Sequence, residues 1–211
     1  MMKKTCLKTY ILISLAALFS LMGCRSGKPV VQQYYLLELP PVLLTDWPAD
    51  ISAVPAILRI EKVGVSPAYA GHQIAIRENT NQIRYFNFNT WAVRPQEAFT
   101  QMSFAFFEKY GLFEHVKLGR THLPASYLLE TEIHHLEIDN MEGHFRARLH
   151  VAFSLSYYEN GYEIIYQHSA DRFQSLELNS INDFTAAVSA MFSEELQTFS
   201  IGFINMLGEN R

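Results

Sequence analysis

Apolar and polar positions follow three rhythms along this chain. Residues 10–22 form an apolar block of 13, broken only by Ser14 and Ser20. Further along, the pattern shortens toward period two over residues 57–62, 127–139 and 145–158, which predicts strands; short strands are also expected at 73–78 and 82–88, either side of Asn79-Thr80-Asn81, and at 163–173 after the turn at Asn160-Gly161. The clearest is 145–158, where Phe145, Ala147, Leu149, Val151, Phe153, Leu155 and Tyr157 alternate with Arg146, Arg148, His150, Ala152, Ser154 and Ser156. Such a strand has one core face and one wetted face, as in antiparallel sheets. Its neighbour, 127–139, keeps phase at Tyr127, Leu129 and Ile133 and then shifts by one residue to Leu136 and Ile138. That shift predicts a β-bulge at His134-His135. A first strand is expected at 34–39, followed by a long loop punctuated by Pro40, Pro41, Pro48 and Pro55 and pinned by Trp47.

The third rhythm is helical. Pro95 suits a first turn and Gly111 a C-terminal cap, and between them Phe99, Met102 and Phe106 share a stripe with Ala98 and Ala105 beside it. A longer helix is expected over 181–207, opened by Ser180-x-x-Asp183. Its apolar stripe is Phe184, Val188, Met191, Phe192, Leu196, Phe199, Phe203 and Met206. The order is four strands, a helix, three or four strands and a helix. This predicts a single α+β domain, a largely antiparallel sheet with two main helices packed on one face.

Composition narrows the function classes. The 211 residues are 49% hydrophobic and 18% charged, with 15 Phe, 11 Tyr and 2 Trp, the reverse of a disordered chain. A net charge of −4 argues against a nucleic-acid partner, which calls for a basic stripe. Two cysteines build neither a four-ligand zinc site nor a disulfide scaffold.

The apolar block says where the chain goes. Lys3, Lys4 and Lys8 precede it and no acid stands before Glu38. A basic start and a short apolar run make a secretory signal, and a spanning helix needs about 20 residues. Leu21-Met22-Gly23-Cys24 is similar to a bacterial lipobox. The small Gly23 lets the lipoprotein signal peptidase reach the bond before Cys24. The Cys24 thiol takes a diacylglyceryl group, and its freed amine is then open to acylation. Two or three acyl chains, at about 0.8 kcal/mol per buried methylene, make a lasting anchor. Arg25, rather than Asp, follows Cys24, which by resemblance to enterobacterial lipoproteins implies release to the outer membrane.

The expected organisation is therefore a signal peptide over 1–23, a lipidated cysteine and tether over 24–33, and a periplasmic domain over 34–211. Cys6 leaves with the signal and Cys24 is acylated, so the mature domain holds no thiol chemistry. The leader carries three lysines and no acids, so the −4 of the whole chain becomes −7 after cleavage.

Chemistry is sparse. The eight histidines form no His-Glu-x-x-His or His-x-His motif, and His134 and His135 point to opposite sheet faces unless a bulge intervenes. Glu130, Glu132, Glu137 and Asp139 are candidate carboxylates. The bulge would set them on the wetted face opposite Arg146, Arg148 and His150, where cross-strand ion pairs account for them. No nucleophile elbow, P-loop or dinucleotide-binding glycine motif is present. No catalytic residue, metal ligand or cofactor site is assigned. A lipid-anchored enzyme would have to work through Glu130 and Glu132.

Several short motifs, in order, resemble the ABC-type transport auxiliary lipoproteins. These accompany mammalian-cell-entry (MCE) lipid transport systems, including the paraquat-inducible one. The carriers are Tyr34-Tyr35-Leu36-Leu37, then Val63-Gly64-Val65-Ser66-Pro67-Ala68-Tyr69, Gln73-Ile74 with Arg77, Asn81-Gln82-Ile83, Trp91-Ala92 with Pro95, and the terminal helix with Ala187 and Ala190. The chain departs from the family at Ala70-Gly71-His72 and Val93-Arg94. The resemblance implies a non-enzymatic lipoprotein on the periplasmic face of the outer membrane. It implies as partners the periplasmic MCE-domain protein and the inner-membrane transporter components. An outer-membrane assembly or secretion-machine lipoprotein is the alternative. The residues leave a homo-oligomer through an edge strand undecided.

Overall fold

The 13 residues Tyr127–Asp139 form one strand, the axis of the sheet, held by its alternating buried face more than by the strand propensity of its residues. The computed structural model describes residues 31–41, 53–119, 125–141, 143–177 and 180–209. The chain divides into Met1–Val31 and Gln32–Arg211, and every element described lies in the second unit. In order these are β1 (Gln33–Tyr35), β2 (Val54–Ile60), β3 (Gly64–Val65), β4 (Gln73–Asn79), β5 (Gln82–Trp91), α1 (Pro95–Tyr110), β6 (Phe113–Leu118), β7 (Tyr127–Asp139), β8 (Arg146–Tyr158), β9 (Tyr162–Ser175) and α2 (Ile181–Glu209).

The long pairings are antiparallel: β7 with β8 and β8 with β9 along nearly their whole lengths. The other edge of β7 is shared by three short parallel partners. Leu128 and Leu129 of β7 face β2, Glu132 and Ile133 face β3, and the stretch from Glu137 to Asp139 faces β4. β6 extends the sheet beyond β2, while β5 and then β1 extend it beyond β4. The architecture is the α+β arrangement expected, with a mostly antiparallel sheet. The two-residue β3 carries no periodicity to read. β6 buries Phe113 and Val116 three residues apart instead of alternating, so neither was foreseen.

The bulge falls where the hydrophobic phase shifts. Ile133 pairs with Val151 and His135 with His150, leaving His134 as the extra residue. Three expectations need correction. The first strand stops at Tyr35, so 36–39 continue without pairing. Pro55 belongs to β2, at the irregularity between Val54 and Ile57, where a missing N–H is tolerated. Ala105 is exposed, and Phe107 takes its place in the buried face of α1. Trp47 and Pro48 lie outside the described residues.

Pro95 and Gly111 bound α1, and Ser180 caps the start of α2. Arg94 is extended before Pro95, as a residue preceding proline must be, and Gly111 closes α1 at φ 62° with its N–H donated to the Phe107 carbonyl. Ser180 Oγ accepts the Asp183 N–H at 3.2 Å at the start of α2. One face of the sheet then packs Leu58, Ile60, Ile74, Leu129, Ile133 and Val151 against the two helices. Phe153 sits under Phe192 and Phe199, with ring centroids 5.9 and 5.4 Å away, and Phe99 of α1 meets Phe192 at 4.6 Å. Among the described residues the opposite face carries no helix, so its chemistry is on view.

Candidate functional site

The carboxylates singled out on β7 alternate with the core residues and therefore project from the helix-free face. Glu137 stands opposite Arg148 and Asp139 opposite Arg146, in the register expected for cross-strand ion pairs. Glu137 and Asp139 are not wetted, however. Glu137 is 0% exposed and Asp139 3%. For Glu137 the reason is the segment after β3. Ser66 donates its N–H to the Ile133 carbonyl, and a turn closed by the Tyr69 N–H on the Ser66 carbonyl swings Tyr69 over β7.

Around Glu137 polar groups from several elements converge. Tyr69 Oη donates to Glu137 Oε2 at 2.6 Å, and Arg77 Nε donates to Oε1 at 2.7 Å. A guanidinium nitrogen of Arg148 reaches the same Oε1 at 3.3 Å. Arg77 also donates to Tyr69 Oη at 3.0 Å, and His135 Nδ1 lies 3.1 Å from that oxygen. On its other side Arg148 grips Asp171 of β9 with two bonds, 3.0 and 2.8 Å. Two carboxylates and two guanidiniums balance in charge, as burial requires. Beyond them Arg146 donates to Asp139 at 2.6 Å, and Arg146 and Arg148 both stack on the Phe173 ring, 4.9 and 5.1 Å from its centroid.

Burial and neighbouring charges shift several of these groups. Burial, reinforced by Glu137, pushes the Tyr69 phenol up to about 12, so it remains a donor at neutral pH. Arg77 is raised by its bond to Glu137, and Arg148 by its bonds to Asp171. Burial opposes ionisation of Asp171, but the Arg148 hydrogen bonds and charge hold it below the ordinary carboxylate value. Burial and then the Arg148 charge lower His135, with Glu137 working against them. Three bonds from Tyr69, Arg77 and Arg148 hold the fully buried Glu137 carboxylate in place. The cluster is a brace joining β4, β7, β8, β9 and the turn before β4.

Glu130 and Glu132 lie elsewhere on this face. Both are exposed, opposite Ser154 and Ala152, and the Glu132 carboxylate rests over Gly64. The bulge, not simple alternation, governs the histidines: His134 and His135 both come up to His150, with ring centroids at 4.8 and 5.8 Å. Among the described residues no group of three or more His, Cys, Asp or Glu is arranged to hold a metal ion. Gly23 and Cys24 lie outside the described residues. Within the described residues no helix is long and apolar enough to cross a membrane.

Two features escaped the sequence. Tyr69 and Arg77 stood only in short motifs, and their convergence on Glu137 depends on parallel pairing between β4 and β7 that no local pattern signals. A groove of about 480 Å³ also opens between the β1 segment and α2, lined by Tyr34, Leu36, Pro40, Ser189 and Ala190 among others. It joins the Tyr-Tyr-Leu-Leu motif to the alanine-bearing stretch of the terminal helix.

The model of a family described as ABC-type transport auxiliary lipoprotein component matches residues 35–198. Among solved structures, a Xanthomonas campestris protein of the DUF330 family is similar, with a TM-score of 0.64 and 14% identity. That likeness covers 82% of this chain and 92% of the other. A second crystal structure matches with a TM-score of 0.63 at 13% identity, over 82% of this chain and 99% of its own. At such identities these likenesses speak to the fold. No curated protein matches the sequence.

Proposed function

This chain belongs to the family of ABC-type transport auxiliary lipoprotein components, and on that premise we propose that it is the outer-membrane-anchored subunit of an MCE-type intermembrane lipid transport system. In this reading it is not an enzyme. It is a docking adaptor that holds the periplasmic MCE-domain protein near the outer membrane, while inner-membrane components supply energy. The family match over residues 35–198 is the observation that carries this reading. The braced helix-free face supports it, because its buried carboxylate is committed to structure and leaves a broad rigid surface.

Anchoring follows from the leader. Cleavage between Gly23 and Cys24, and acylation of Cys24, would fix the chain to a membrane by two or three acyl chains. Arg25 after the cysteine favours the outer membrane. Eight residues separate Cys24 from β1, a reach of about 30 Å when extended, so the adaptor would work close to the bilayer.

Crosslinking the full-length chain in cells, then purifying it in mild detergent, should recover an MCE-domain protein. Recovery of the chain alone would overturn the adaptor reading. Cys24→Ala should leave the chain unprocessed or release it from the membrane fraction, and unchanged processing and retention would sink the anchoring step.

A further inference from the structure

We propose that the corner formed by β1 and the end of β5 seats in the interfacial zone of the membrane to which Cys24 is anchored, with Tyr34, Leu36, Phe88 and Val93 as its apolar contacts. This rests on the lipidation of Cys24 proposed above.

Four large apolar side chains are exposed there: Tyr34 by 65%, Phe88 by 49%, Leu36 by 47% and Val93 by 42%. The register gathers them. Tyr34 pairs with Thr90, Gln33 pairs with Asn89 next to Phe88, and the Ala92 N–H bonds the Tyr35 carbonyl, which brings Val93 alongside Leu36. From β1 into the residues that follow it, the alternation continues, but with apolar residues on both faces. Tyr35, Leu37 and Leu39 pack on the core, while Tyr34 and Leu36 point outward, where a surface strand would ordinarily carry polar groups.

Phe88 is exposed for a local reason. Between the pairs Ala75↔Tyr85 and Gln73↔Thr90, β4 contributes one residue, Ile74, and β5 contributes four, 86–89. A bulge of that size re-aims side chains and ends strand pairing. Here it turns an aromatic ring out of the sheet beside the strand where the chain enters the fold. The patch is bordered by one exposed charge of each sign, Arg94 and Glu38. Tyrosine and phenylalanine at such a boundary fit the apolar–polar transition of a bilayer surface.

The occupant follows from chain length. Cys24 stands eight residues before Gln32, and the apolar corner begins at Tyr34. Whatever surface surrounds Tyr34 is therefore the surface held at highest concentration against the lipid. A second exposed group, Tyr157, Tyr158, Tyr162 and Ile164, lies at the β8–β9 hairpin. Five strand spacings at about 4.8 Å separate β9 from β1, about 24 Å across the sheet. That group supplies a control of like chemistry without the tether.

The test uses the lipidated full chain in vesicles of phosphatidylethanolamine and phosphatidylglycerol. The processed domain has no other unmodified cysteine, so Tyr34→Cys, Phe88→Cys and Ile164→Cys can each carry one environment-sensitive fluorophore. With lipids bearing a quencher near the headgroup, emission at positions 34 and 88 should fall severalfold more than at 164. Equal quenching at all three, or stronger quenching at 164, overturns the proposal even if the chain is anchored. Mass measurement of the N-terminal peptide separates the two layers: absence of acyl groups removes the anchoring reading, and with it the corner's reason to meet lipid. Two reporter positions guard against one substitution perturbing the fold.

Discussion

Glu137 is where the helix-free face is most exposed to damage, because a buried charge is tolerable only while its partners remain. Tyr69, Arg77 and Arg148 all bond its carboxylate, and none comes from the same element. Removing one partner of a buried ion pair leaves the others uncompensated, at about 3–5 kcal/mol. Losing a single neutral donor to a buried group costs about 1–3 kcal/mol. Glu137→Gln should therefore lower the urea midpoint by the larger amount and Tyr69→Phe by the smaller, with no change in slope. Equal, near-zero effects would mean the cluster is not a brace. The sequence made half of this visible. The alternation of β8 places Arg148 opposite Glu137, but the two groups that dry the pair come from about 60 residues earlier through pairings without a local signature. Burial was misread for that reason, although the ion pairs were not.

At the scale of elements, the long strands and helices were legible because each carries many repeats of its own period and has its caps written beside it. The bulge at His134 was legible too, since it leaves a phase error in the apolar series. What periodicity does not encode is contact between elements, and the seam between β9 and α2 shows it. His168 bonds Glu195 at 2.6 Å, Arg172 bonds both Glu194 and Glu195, and Tyr166 packs near Phe199 and Phe203. Gly202 makes room for that tyrosine, since a Cβ there would meet Tyr166 Oη at 1.9 Å and Cζ at 2.9 Å. An alanine in an exposed helix gains about 1 kcal/mol over glycine. At Gly202 the displaced ring should outweigh that gain. Gly202→Ala alone is expected to lower the melting temperature, and in a Tyr166→Ala background the same substitution should become neutral or stabilising. Additive effects in this double-mutant cycle would remove the close approach as the explanation.

For the whole molecule, the proposed lipid tether and the proposed apolar contact would act on the same distance, and their contributions can be separated. Half-exposed Tyr34 and Phe88 leave roughly 100 Å² each to be covered, worth up to about 5 kcal/mol at 25 cal/mol per Å². Inserting about 20 Gly/Ser residues after Cys24 lengthens the linker from 8 to about 28 residues. By the −3/2 power law that dilutes the corner at the bilayer about sixfold, or about 1 kcal/mol. The seating term exceeds the dilution, so energy transfer from a dye at position 164 to an acceptor in the vesicle surface should change little on insertion alone. Replacing Tyr34 and Phe88 by serine in the lengthened chain should let the domain drift outward and reduce transfer clearly. If insertion alone has that effect, the short tether, and not the corner, sets the height at which the domain meets its partner.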